Sequence, residues 1–226
     1  KSKSLEGGLE MYFLNRRVGF DIALYKVNTI DQILPVRVSS ATGYNFKVIN
    51  AGEIQNKGIE FSLNATPVVK KDFSWELSIN YAKNINEVIS LTEGLDNLQL
   101  GTFQAGVTIN AMIGEPYGVI YGTDYTYLNG ERLVDDVSGE YIKTGTSDNV
   151  IGNVNPDWTG GISNKLTYKN LSFSFLIDVQ KGGDIFSLDM YYGLATGLYD
   201  ETSYINDLGN PVRNSLADGG GFINKG

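Results

Sequence analysis

The sequence contains no cysteine and no histidine. The first absence excludes disulfides and thiolate-ligated metals. The second removes Ser-His-Asp and Cys-His nucleophilic chemistry and imidazole-ligated zinc. Charged residues make up only 19% and carry a net charge of −8. A nucleic-acid binder needs basic stripes that neutralise phosphates, so that class is excluded. No run approaches the roughly 18 apolar residues of a transmembrane helix. Strands that cross a membrane give a much weaker hydropathy signal, so this last absence does not exclude a membrane protein. There is no recognisable signal peptide and no initiator methionine, and Lys1 to Glu6 already lead into a strand. The chain therefore reads as an excerpt of a longer protein.

What is present suits a sheet protein. Hydrophobic residues reach 42%, enough for a fold, and 14 Tyr and 27 Gly fit strands joined by long loops better than helix bundles. Six segments alternate apolar and polar residues with period two, which puts successive side chains on opposite faces. They are Leu5–Leu14, a segment from Val18 to Tyr25, Ile59–Ala65, Phe73–Tyr81, Trp158–Tyr168 and Leu171–Gln180. The fifth is interrupted on its apolar face by Asn164. Short polar links join the segments in pairs: Asn15 to Arg17, Pro67 to Asp72, and Lys169 with Asn170. The links between pairs are long, from Val27 to Asn56, from Ile85 to Asp157 and from Gly182 onward.

Each segment has about 10 residues, near the ~9–11 that cross a bilayer at a tilt. Short turns on one side and long loops on the other are expected of bacterial outer-membrane barrels, with the short turns periplasmic. The polar faces carry Glu10, Asp21, Glu60, Glu76 and Asp178, which suit a wet lumen and would be costly in lipid. The apolar faces carry Phe13, Phe73, Trp75, Tyr81, Trp158 and Tyr168 near their ends, as headgroup-level girdles do. The predicted fold is all-β, an antiparallel transmembrane β-barrel represented by about six strands and long extracellular loops. A soluble antiparallel β-sandwich shows the same alternation, but its strands are usually nearer ~5–6 residues. Six strands do not close a solute-carrying barrel, and an open sheet in lipid leaves its edges unpaired, so the segment belongs to a larger barrel.

An ordered series of motifs then resembles a known family. It runs through Leu34-Pro35-Val36, Thr42-Gly43-Tyr44, the stretch from Asn50 and Ala51 through Gly52, Glu53 and Gly58 to Glu60, Phe73-Ser74-Trp75, Gly114 to Gly118, Asn155 to Trp158, Tyr168 to Ser172 and Asp178 to Ile185. These segments resemble SusC/RagA-like TonB-dependent outer-membrane transporters over almost the whole chain. The resemblance implies a plugged barrel of about 22 strands, of which residues 1–226 would be a C-terminal part lacking signal peptide, plug and TonB-contact segment. It further implies energised import of a bulky glycan or peptide. The implied partners are TonB, acting through parts not in this chain, outer-membrane lipid, and a SusD-like surface lipoprotein docked over loops such as Ile85 to Asp157. A glycan-binding sandwich and a passive porin are the alternative readings. No catalysis and no cofactor are expected.

The candidate site residues lie in the loops and at strand starts. Tyr117, Tyr121, Tyr125 and Tyr127 either form a platform that stacks on ligand rings or pack the folded loop, and packing is the preferred reading. Asp135, Asp136, Ser138 and Glu140 around Gly139 offer oxygen ligands for calcium. Their spacing does not match a full calcium loop, and with Asn129-Gly130 upstream a small hairpin is preferred. Asn50, Gly52, Glu53, Gly58 and Glu60 are read as structural: the glycines for bends where a loop re-enters a strand, the glutamates for bonds to neighbouring strands.

Overall fold

The computed structural model describes residues 1–37, 39–50, 52–137 and 140–221, without the side chains of residues 34–37 and 40. Ala51, Ser138 and Gly139 therefore lie outside the described residues, as do the side chains of the Leu34-Pro35-Val36 motif. In chain order the strands are β1 (Ser2–Phe13), β2 (Val18–Ile30), β3 (Ile33–Arg37), β4 (Phe46–Asn50), β5 (Glu53–Val69), β6 (Phe73–Ser90), β7 (Asn97–Thr102), β8 (Thr108–Met112), β9 (Val119–Gly122), β10 (Tyr127–Leu128), β11 (Glu131–Arg132), β12 (Asn149–Asn153), β13 (Pro156–Tyr168) and β14 (Leu171–Gly182), followed by helix α1 (Leu188–Thr196). The chain divides into two compact units, the first Lys1–Thr102, Thr108–Ile120 and Gly152–Asp184, the second Phe103–Val107, Tyr121–Ile151 and Ile185–Gly226.

The first unit is built on one antiparallel sheet in the order β1-β2-β5-β6-β13-β14. All six alternating segments are strands of this sheet, and its register lines their apolar residues into continuous cross-strand rows. Met11 opposes Phe20, Phe20 opposes Leu63, Leu63 opposes Ile79, Ile79 opposes Ile162, and Ile162 opposes Ile177. The row on one side of it runs Leu9, Ile22, Phe61, Tyr81, Gly160, Val179, and the row on the other side runs Phe13, Val18, Ala65, Leu77, Asn164, Phe175. The apolar residues of this face are exposed or half-exposed, Leu171 at 70% and Phe173 at 64%. A large apolar side chain left in water forgoes about 1.5–3 kcal/mol of burial. A face of this size is therefore a lipid-facing surface.

The polar links are turns at one end of the sheet. Residues 14–17 form the first, with Leu14, Asn15 and Arg16 at positive φ, and Lys169 at φ 53 opens the third. Neighbouring turns are tied together: Lys169 N–H donates to the Asp72 carbonyl at 2.8 Å, and the Arg17 guanidinium donates to the Thr66 and Pro67 carbonyls at 3.0 and 2.9 Å.

Three expectations change. The wall strands have 12 to 18 residues rather than about 10. Pro67 lies inside β5 rather than in the link, at the irregularity between Ala65 and Val68, where no ladder donor is required of it. The long links hold structure of their own: a β3–β4 hairpin within the first and a sheet ordered β12-β9-β8-β7 within the second. A small core of Val88, Leu98 and Ala111, with Leu91 and Tyr117 packed on it, anchors the start of that second link to β6.

In the second unit, β10 and β11 form the hairpin expected at Asn129-Gly130, where φ is 52 and 87. Positive φ at both central residues is what a two-residue turn joining twisted strands requires. Helix α1 starts at Ser187, whose hydroxyl accepts the Met190 N–H at 3.2 Å, and stops at Gly197, φ 78.

Candidate functional site

The face of the wall opposite the apolar band is mostly polar, although β14 places Leu176 on it, 64% exposed. One row places Glu10 beside Asp21, then Ser62, Asn80, Gly161 and Asp178. Glu10 accepts the Tyr12 hydroxyl at 2.5 Å, and Glu76 pairs with Lys165 at 3.3 Å. Carboxylates and hydroxyls at this density belong on a wetted surface, so this is the lumen side.

Towards the loop end, the same face carries an asparagine ladder. The Tyr25 hydroxyl donates to Asn84 Oδ1 at 3.1 Å, and Asn56 Oδ1 accepts from Asn84 and Asn86 at 2.9 and 2.8 Å. Asn86 Oδ1 then takes the Tyr117 backbone N–H at 2.7 Å, and Asn155 donates to the Tyr117 carbonyl at 3.0 Å. The segment bearing Tyr117 is thereby fastened to the wall through paired polar groups. Burial pushes the Tyr117 phenol up from its ordinary pKa.

The family-motif residues start β5. Gly52, at φ 103, turns the chain into the strand, and a Cβ there would collide with the Ser90 carbonyl. Glu53 accepts the Asn28 side-chain N–H at 2.5 Å. Gly58 lies inside the strand at an ordinary φ rather than at a bend. A Cβ there would meet the Lys83 carbonyl and the Tyr25 ring, so the residue provides close approach. Glu60 is exposed on the lumen face, and Asn50 ends β4, its carbonyl accepting the Thr92 hydroxyl.

The remaining tyrosines belong to the second unit. Tyr121 is buried, with 5% of its surface exposed. Tyr125 meets Tyr141 edge-to-face at 5.5 Å, and the Arg132 guanidinium lies 4.4 Å from the Tyr125 ring and 5.5 Å from the Tyr141 ring. Tyr127 is half exposed, and its hydrogen bond with Arg132 holds that guanidinium above its ordinary pKa. Arg132 and Tyr141 were not singled out from sequence. Nor were Asn56, Asn84 and Asn86, although Asn84 and Asn86 are two apart and so share a strand face. The Asp135 N–H bonds to the Glu140 carbonyl at 2.8 Å, and the Asp135 carboxylate accepts the Val137 N–H at 3.1 Å. Among the described residues, Asp135, Asp136 and Glu140 are not assembled into a group that would hold a metal.

Comparison with known proteins identifies the architecture. The family model described as TonB dependent receptor-like, beta-barrel matches residues 1–219. TonB-dependent receptor P3 of Formosa agariphila is 27% identical over 96% of this chain and 22% of its own length. TonB-dependent receptor SusC of Bacteroides thetaiotaomicron is 28% identical over 99% of this chain and 24% of its own length. The solved RagAB peptide transporter shares the fold, with a TM-score of 0.71 at 23% identity over 85% of this chain and 22% of that one. The chain thus spans under a quarter of these relatives. Its lipid-facing band, polar lumen face and turn-and-loop asymmetry, together with these matches, place it in the outer membrane: the chain belongs to the TonB-dependent receptor β-barrel family, as a SusC/RagA-like part of the barrel.

Proposed function

We propose that the whole protein imports a bulky nutrient, an oligosaccharide or a peptide, across the outer membrane with energy delivered through TonB. The observation that carries this reading is the two-faced wall, one face a continuous apolar band and the other a row of carboxylates and amides, on a chain that matches the transporter family over residues 1–219. Residues 1–226 act as one stretch of barrel wall with its loops. The loops would form part of the ligand cavity and carry a SusD-like lipoprotein lid, whose docking surface includes Ile85 to Asp157. Among the four candidate tyrosines, Tyr125 and Tyr127 beside Arg132 offer ring faces and phenolic groups to a polar ligand, while Tyr117 and Tyr121 hold the loop. The role is transport rather than catalysis.

Uptake of labelled oligosaccharides and peptides by cells carrying the intact transporter tests this. Import that requires both energised TonB and the lid supports the reading. Import indifferent to both makes the barrel a passive pore.

A further inference from the structure

The uncharged series on the lipid-facing side of the wall each reach a lysine on five of the six strands. Following the register away from the turns, Lys3, Lys26, Lys57, Lys83 and Lys181 are the first charged positions of β1, β2, β5, β6 and β14 on that face, with Ile30 and Ile85 lying beyond Lys26 and Lys83. On β13 the equivalent position is Trp158, directly opposite Lys181 and in ring contact with Tyr81 at 5.7 Å. Below this level, the lipid-facing positions of the wall strands carry no charge.

The height of the collar is set by geometry. Lys83 lies ten residues from Phe73, at the turn end of β6, which is about 34 Å along the strand at ~3.4 Å per residue. At a tilt of about 40° this is roughly 26 Å vertically, the height of the apolar band of an outer-membrane barrel. The lysines therefore sit at headgroup level on the side away from the short turns, which is the outer leaflet.

The spacing of these lysines indicates what the collar meets. Lys26 and Lys57 stand directly opposite each other, an arrangement that costs stability unless an anion lies between or above them. Lys57 has Glu87 at 3.9 Å, an exposed pair too long and too solvated to neutralise three neighbouring lysines.

We infer that Lys26, Lys57 and Lys83 bind an anionic phosphate-bearing lipid of the outer leaflet, fixing the height of the wall in the membrane. The test uses the whole transporter purified in detergent. Native mass spectrometry would compare adducts of dioleoyl phosphatidic acid and dioleoyl phosphatidylcholine. The native protein should retain phosphatidic acid selectively, and Lys26→Gln/Lys57→Gln/Lys83→Gln should lose that selectivity, whereas Lys165→Gln on the lumen face keeps it. If the triple variant fails to assemble, Lys83→Gln alone should weaken retention about five-fold, the effect of one surface lysine. Equal retention of the two lipids by the native protein, or undiminished selectivity in the variants, overturns the inference. Displacement of the lipid by millimolar inorganic phosphate also overturns it, making the cluster a free-anion site.

Discussion

The indole Nε1 of Trp75 donates a hydrogen bond to Oδ1 of Asn164 at 3.1 Å, across the β6–β13 pair on the lipid-facing side. Asn164 is the single amide in the central apolar rows, and only 9% of its surface is exposed. In lipid, each of these groups would otherwise lack a partner. Asn164→Ala should therefore destabilise the barrel by about 1–3 kcal/mol, the cost of an unsatisfied buried donor, and Trp75→Phe by a similar amount. The double variant Trp75→Phe/Asn164→Leu, which removes both groups, should recover most of the loss. Urea unfolding of the intact barrel in vesicles measures all three.

Gly58 is held to glycine by its neighbours. A Cβ would meet both the Lys83 carbonyl and the Tyr25 ring. Gly58→Ala should cost about 1–3 kcal/mol through overpacking. Removing the ring with Tyr25→Ala should relieve only part of this, because the carbonyl belongs to the backbone. The same unfolding measurement decides the matter.

The assignment of faces makes a sharper claim about charge. Ile79 and Ser78 are adjacent in β6 but on opposite sides of the sheet. Ile79→Lys should cost about 2–4 kcal/mol, the penalty for lysine at the middle of the lipid face, and Ser78→Lys less than about 1 kcal/mol. Equal costs would contradict the assignment.

In the second unit, Arg132 lies over Tyr125 and Tyr141, a cation–π arrangement worth about 0.5–1 kcal/mol at an exposed site. Arg132→Gln should loosen this loop and raise its rate of cleavage by chymotrypsin about two- to five-fold, with no change in unfolding of the wall.

The six wall strands were legible because their middles lie in the membrane, where one face is apolar and the other polar. Above the band the legibility fails for a physical reason. In the upper parts of β5 and β6 polar residues stand on both faces, Lys57, Lys83 and Glu87 on one and Asn56, Asn84 and Asn86 on the other, with apolar residues on both as well, Ile85 on the first and the buried Val88 on the second. The backbone remains extended while the hydropathy alternation vanishes, so Glu53 to Asn56 and Ile85 to Ser90 read as loop. In the sequence Pro67 marks a boundary, because a bulge leaves no local trace. Asn164 looked like a flaw in a strand because its partner Trp75 is 89 residues away. The Asn129-Gly130 turn was readable from two residues, whereas the gathering of Tyr125, Tyr127 and Tyr141 around Arg132 depends on pairings such as Tyr125 with Lys143 that no short pattern announces.

The central claim is that one face of this sheet lies in lipid and the other in water. Spin labels on single cysteines at successive positions 171–180, in the intact transporter reconstituted in bilayers and otherwise free of cysteine, test it directly. Collision with oxygen should peak at Phe173, Phe175, Ile177 and Val179, and collision with a water-soluble nickel chelate at Ser172, Ser174, Asp178 and Gln180. Accessibility without a period of two, or with the two sets exchanged, would contradict the account.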